Sequence, residues 1–206
     1  MDQRRRIDGA LFEKMFLGGV ANLKFNLEKV NDLNVFPIPD GDTGENMYLT
    51  MQGGVQTLDR WDSLGDKATA SAQGMLLSAR GNSGVILSQL FYGLGEGLKG
   101  LEEADIEQFR KAMQEGIKCA YGAVSRPVEG TILTVARESL ENAPDAESVE
   151  EFIAKLLIEM KKSLENTPNL LAVLKEAGVI DSGGAGLVIL SRVFIKRLKA
   201  KQLKTT

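Results

Sequence analysis

The chain contains no histidine, and that absence excludes more chemistry than any other feature of its 206 residues. A phosphohistidine relay, a Ser-His-Asp triad, a histidine metal centre and a histidine general base are all closed to it. Cysteine is nearly absent as well. The single Cys119 forms no internal disulfide and, without a second thiol or an imidazole, no zinc site; this predicts a buried structural thiol in a reducing compartment. Long apolar runs are missing: stretches such as Leu187-Val188-Ile189-Leu190 fall far short of the ~20 residues a membrane span requires. Met1–Arg6 leads into no signal-peptide core, so the expected setting is soluble and cytoplasmic. Neither sign of charge dominates. With 25 Lys and Arg against 28 Asp and Glu, the balance of −3 lacks the clustered positive field of a nucleic-acid binder. The basic ends, Arg4-Arg5-Arg6 and Lys196-Arg197 to Lys204, read as solvated helix termini.

What is present is helical periodicity almost throughout. Leu11, Met15, Phe16, Val20, Leu23 and Leu27 predict one long helix within Ile7–Val30, with Asp8 at its start. Two prolines, Pro37 and Pro39, forbid helix through Asn31–Asp42, and helix resumes after Thr43, weakened by Gly53-Gly54. Further helices are expected from an Asp66 N-cap to Ala79, over Val85–Leu94, Glu103–Val124 and Thr131–Leu140. Ser148–Leu164 follows, with a Ser148/Glu151 capping box, then a helix started by Thr167-Pro168 and running to Ala177, and a last one through Lys199. No strand is convincing, Gly178-Val179-Ile180 being too short, so the reading is a single all-α domain of eight or nine helices.

The 22 glycines are many for helices, where each costs about 1 kcal/mol in an interior position. Several precede helical runs: Asp40-Gly41-Asp42-Thr43-Gly44, Arg80-Gly81-Asn82-Ser83-Gly84, Glu129-Gly130-Thr131 and Asp181-Ser182-Gly183-Gly184. A helix N-terminus offers unpaired N–H groups, and glycine lets an anion approach them, so four such segments suggest one polyphosphate site. Any one alone reads first as ordinary capping; the sum of four is what points to a shared site. No Walker A or Rossmann signature occurs. Asp40 and Asp42 on one turn suit a hard cation; an EF-hand fails, because positions six and twelve from Asp40 are Glu45 and Met51. Mg²⁺ bridging nucleotide phosphates explains the carboxylates and the glycine segments together, against a bare turn-and-cap role for the two aspartates.

These segments carry a resemblance. Asn34-Val35-Phe36-Pro37-Ile38-Pro39-Asp40-Gly41-Asp42-Thr43-Gly44-Glu45-Asn46-Met47, Ser78-Ala79-Arg80-Gly81-Asn82-Ser83-Gly84-Val85-Ile86, Glu129-Gly130-Thr131 and Asp181-Ser182-Gly183-Gly184, in this order, resemble the dihydroxyacetone-kinase L type (DhaL-like) domain. Within it, the chain looks most like the N-terminal, ATP-binding domain of bacterial fatty acid kinase. The resemblance implies an antiparallel eight-helix barrel holding ATP or ADP and two Mg²⁺ ions at one rim. Asp40 and Asp42 would be the catalytic metal ligands; where the family has a third carboxylate this sequence offers Asn34, with Asp32 nearby. Thr43 and Asn46 would meet the phosphates, Gly81, Asn82 and Ser83 would wrap the β/γ end, Gly130 and Thr131 would border the nucleotide, and Asp181, Ser182 and Gly183 would close the site. Arg80 is either a phosphate contact or a helix-end residue.

The resemblance further implies an ATP-dependent kinase acting on a fatty acid carboxylate that a separate fatty-acid-binding protein presents, giving an acyl phosphate for lipid metabolism. The chain is then expected to be one domain excised from a longer protein, with any homodimer formed through other domains. Two alternatives stand beside it: the nucleotide-binding subunit of a dihydroxyacetone or similar polyol kinase, and a regulatory nucleotide- or metal-binding module without turnover.

Overall fold

In a computed structural model that describes residues 5–202, with side-chain surroundings through Arg192, the first helix begins where its sequence places it. The Asp8 carboxylate accepts the Leu11 N–H at 2.7 Å and starts α1 (Gly9–Phe25), whose buried face carries Leu11, Phe12, Met15, Phe16, Val20 and Leu23. The chain breaks at Asn26, forms the short α2 (Leu27–Asn31), and crosses the proline segment to α3 (Thr43–Val55). Then come α4 (Leu64–Leu77), α5 (Gly81–Leu98), α6 (Ile106–Gly122), α7 (Ile132–Asn142), α8 (Val149–Leu170), α9 (Ala172–Ala177) and α10 (Ser182–Gln202). Three-residue strands β1 (Arg6–Asp8) and β2 (Glu103–Asp105) pair antiparallel, an element the periodicity did not reveal because it is too short to alternate. Arg4 and the side chains of Lys196–Lys204, read above as solvated helix termini, lie outside the described residues.

Eight of these helices form a closed ring. Neighbours pack in the order α1, α3, α4, α5, α6, α7, α8, α10 and back to α1, an all-α antiparallel barrel. The inside is apolar: Phe16 meets Phe91 edge-on at 5.4 Å, and a cavity of about 130 Å³ is lined by Phe12, Met51, Phe109, Phe152 and Leu187 among others, with Ser191 as its sole polar side chain among the described residues. The ring alternation puts the starts of α1, α4, α6 and α8 at one rim and those of α3, α5, α7 and α10 at the other. The β1–β2 ladder sits at the first rim, where the Leu64 N–H also reaches the Glu102 carbonyl.

Besides the break at Asn26 in the one long helix expected over Ile7–Val30, and the start of α6 at Ile106 instead of Glu103, four details differ from the sequence reading. Ser63, not Asp66, caps α4: its hydroxyl accepts the Asp66 N–H at 3.1 Å, and Asp66 is the acidic residue of the first turn. The run from Arg80 to Gly84 does not separate helices; α5 already starts at Gly81. At α8, Ser148 accepts the Glu151 N–H as expected, but the Glu151 carboxylate reaches back to the Glu147 N–H instead of closing a box on Ser148. Thr167-Pro168 starts no helix. Pro168 lies in the last turn of α8, and the carbonyl of Leu164, deprived of a donor by the proline, accepts the Thr167 hydroxyl at 2.7 Å.

Candidate functional site

The ends of α3, α5, α7 and α10 converge on one cleft of about 550 Å³ at the second rim. Its walls include Thr43 and Asn46 from α3, Gly81, Asn82 and Ser83 from α5, Thr131, Ile132 and Leu133 at the start of α7, and Asp181, Ser182 and Gly183 at the start of α10. Residues 139 positions apart touch there: the Ser182 hydroxyl donates to the Thr43 hydroxyl at 3.2 Å. Asn34, Asp40 and Asp42 complete the polar wall.

Two of these four helices, α3 and α5, begin differently from the rest. At the opposite rim Asp8, Ser63, Asp105 and Ser148 each cap their helix with a side-chain oxygen. At the cleft, Asp42 ahead of α3 and Arg80 ahead of α5 make no side-chain capping bond. The first N–H groups of α5, on Gly81, Asn82 and Ser83, therefore begin without a side-chain cap at the edge of the cleft. Gly81 is required at that edge: its φ is +58°, and a Cβ would lie 3.0 Å from Cγ of Asn46 and closer still to Nδ2.

Asp40 and Asp42 face the same cleft, and among the described residues neither lies within 4.0 Å of a lysine or arginine nitrogen. Asn34, buried to 8% exposure, donates its amide to Asp40 Oδ1 at 2.7 Å. Asp32 does not line the cleft, so of the two candidates for a third metal ligand only Asn34 is in place. No group of three or more Cys, Asp or Glu side chains converges as a metal cage among the described residues. Two carboxylates and an amide fit Mg²⁺, which is held by one or two carboxylates with phosphates and water completing its octahedron, better than a cation needing a full protein cage.

Asp181 has a second task. It is 5% exposed, and its Oδ2 accepts the Gly184 N–H at 2.7 Å, capping α10. Its own N–H donates to the Thr167 hydroxyl at 3.1 Å, tying the cap to the end of α8. Burial pushes its carboxyl up to about 6, against the pull of the Gly184 and Ile132 N–H groups. The native state then keeps a proton that the unfolded chain releases near 3.8, so this group's contribution to stability falls as pH rises from about 4 to about 6. Denaturant titrations of Asp181→Asn across that window are expected to show the wild type losing up to about 3 kcal/mol relative to the variant. A pH-independent difference would contradict this.

Three of the sequence-predicted candidates, Asp32, Arg80 and Gly130, do not line the cleft; Gly130 lies behind its wall. It is buried with φ +83°, and a Cβ there would lie 2.8 Å from Cβ of Leu171. The sequence reading passed over the loop between α6 and α7, which brings Val124, Ser125, Arg126 and Val128 to the cleft. The signal available was Arg126-Pro127, a proline just past a helical run. Phe36, Pro37, Ile38, Val85 and Ile86 also line it, so the mouth is apolar on one side.

A family model described as the DAK2 domain matches residues 37–196, which takes in every residue lining this cleft except Asn34 and Phe36. The chain belongs to the DAK2-domain family. This DAK2 domain is 46% identical over 204 residues to an uncharacterized protein of Staphylococcus saprophyticus, covering 96% of the chain and 37% of that protein. It is 44% identical over 205 residues to an uncharacterized protein of Staphylococcus aureus, covering 97% and 37% respectively. The chain thus spans little more than a third of the length of these relatives. In fold it is similar to the dihydroxyacetone kinase from C. freundii, solved in complex with AMP-PNP and Mg²⁺, with a TM-score of 0.69 at 18% identity over 95% of this chain and 35% of that one. The native form of the same kinase gives 0.64 at 16% identity. No described helix of the DAK2 domain is long and apolar enough to cross a membrane.

Proposed function

We propose that this DAK2 domain binds Mg-ATP in the cleft and passes the γ-phosphoryl group to the carboxylate of a fatty acid presented by a separate protein. The observation that carries the reading is the pairing of the uncapped start of α5 with two carboxylates that no lysine or arginine neutralises among the described residues, in one cleft. Phosphates meet the former, and Mg²⁺ bound by Asp40 and Asp42, with Asn34 alongside, would neutralise charge on the phosphates. Thr43, Asn46 and Ser182 supply further polar groups to the same wall. The Gly81–Ser83 N–H groups are fixed donors that need no rearrangement as charge develops during transfer.

A carboxylate acceptor suits a chain without histidine. A fatty acid with a pKa of about 4.5 is already ionised at neutral pH, so its oxygen attacks the γ-phosphorus without a general base. The new C–O–P bond forms as the bond from γ-phosphorus to the β,γ-bridging oxygen breaks, ADP leaves with that electron pair, and no proton moves. The apolar mouth, with Ile38 62% exposed and Val85 41% exposed, supports a protein partner that delivers the acceptor.

A second reading, a polyol acceptor, draws its support from the fold likeness to dihydroxyacetone kinase. An alcohol needs a base, which a partner would have to bring. The experiment is ATP consumption by the full-length protein with a fatty-acid-loaded binding protein, against a parallel reaction with a dihydroxyacetone-loaded partner. Transfer only to the fatty acid is expected. Transfer only to the polyol would replace the acceptor, and ADP binding without transfer to either would make this a regulatory nucleotide module.

A further inference from the structure

Behind the cleft wall, four side chains converge on one turn. Glu129 accepts the Thr134 hydroxyl at 2.6 Å, the Arg137 guanidinium at 2.9 Å and the Tyr121 hydroxyl at 3.0 Å. Arg137 also donates through Nε to the Tyr121 oxygen at 3.1 Å and through its second terminal nitrogen to Glu141 at 3.0 Å. The Thr134 oxygen in turn accepts the N–H of Gly130 at 2.8 Å. The turn so gripped holds Gly130 at φ +83° and presents Val128, Thr131 and Ile132 to the cleft. Tyr121, Glu129 and Arg137 do not line the cleft themselves.

Stability alone does not account for this hub. The Arg137 and Glu129 side chains are 33% and 50% exposed, where ion pairs contribute little to folding. What the hub does is join the last turn of α6, the α6–α7 loop and the first turns of α7, through a planar guanidinium that a lysine would not match. We infer that Arg137 and Glu129 are positioning residues of the proposed nucleotide site, locking the Val128–Thr131 turn in its binding conformation before ligand arrives. This rests on the Mg-nucleotide reading above. Although burial alone raises the Glu129 carboxyl, its bonds from Thr134, Arg137 and Tyr121 hold it below the usual carboxylate range, so the clamp stays charged at neutral pH.

The alternative is that Arg137 merely adds positive potential near an anion site. The two accounts differ in the sign of one variant. Under a pure field, Arg137→Met weakens Mg-ADP binding and Glu129→Ala strengthens it, because a negative charge is lost. Under positioning, both variants weaken it, roughly tenfold, because each releases the same turn. Glu141→Ala, which removes only the outward arm of Arg137, is expected to leave affinity within about twofold. The measurement is calorimetric titration of the chain with Mg-ADP, together with amide hydrogen exchange at Gly130 and Thr131 without ligand. Faster exchange and weaker binding in both variants, with thermal midpoints close to wild type, is the expected result. Unchanged exchange at Gly130, or tighter binding by Glu129→Ala, overturns the positioning role while leaving the nucleotide site standing. A wild-type chain that binds no Mg-ADP overturns both.

Discussion

Asp42→Ala is expected to abolish Mg²⁺-dependent ADP binding, a loss of at least roughly 100-fold in affinity, or about 2.7 kcal/mol, while leaving the fold intact. The reason lies in what Asp42 does not do. It stands at the N-cap position of α3, yet its side chain makes no capping bond, and no cation lies within 4.0 Å of it among the described residues. The N–H groups of Gly44 and Glu45 are served instead by the Asn31 side chain, at 2.8 and 3.4 Å. Removing the carboxylate therefore deletes no structural bond and takes one negative charge from beside Asp40. A structural aspartate would show the reverse pattern, with affinity preserved and the thermal midpoint lowered. Calorimetry with and without Mg²⁺, beside a thermal melt, separates the two; normal Mg-ADP affinity in the variant would remove Asp42 from the metal site.

The asymmetry of caps that supports this prediction was only half legible in the sequence. Helix starts are local events, so Asp8, Ser148, Thr131 and the glycine segments ahead of α3, α5 and α10 could be located from residue types alone. That the starts of α3, α5, α7 and α10 share one rim follows from ring closure, which depends on α10 returning to α1 across most of the chain. The wall from Val124 to Val128 was missed for a related reason: a loop has no period, and nothing in its own residues says that it folds over a cleft. Asp66 was mistaken for the cap of α4 because aspartate serves both at the cap and in the first turn, and only the Ser63 hydroxyl geometry separates the roles.

The glycines mark the sharpest divide between local and nonlocal reading, and Gly93→Ala tests it. Read locally, alanine replaces glycine inside α5 and gains about 1 kcal/mol of helix propensity. The structure reverses the sign. Gly93 and Gly97, one turn apart on α5, face Gly116 and Ala112, one turn apart on α6, and the backbones approach closely along this seam. A Cβ on Gly93 would lie 2.6 Å from Cα of Gly116 and collide with the Glu115 carbonyl, neither of which is a flexible group that can step aside. The two helices would have to separate, and overpacking of this kind costs 1–3 kcal/mol or more. The expected result is a net loss of about 2 kcal/mol, a fall of roughly 5 °C in the thermal midpoint for a chain of this size. Gly122, in the last turn of the same α6, has open space where a Cβ would go, so Gly122→Ala is expected to be neutral or to raise the midpoint. Gly53 and Gly74 repeat the seam between α3 and α4, each facing the other's backbone, so Gly53, one of the two glycines that weaken α3 as an isolated helix, is what lets it pack in the ring. Equal effects of Gly93→Ala and Gly122→Ala would mean that propensity, not the close crossing, governs these positions. Unequal effects in the stated direction assign the high glycine content to two separate demands, the cleft edge at Gly81 and the helix seams of the barrel.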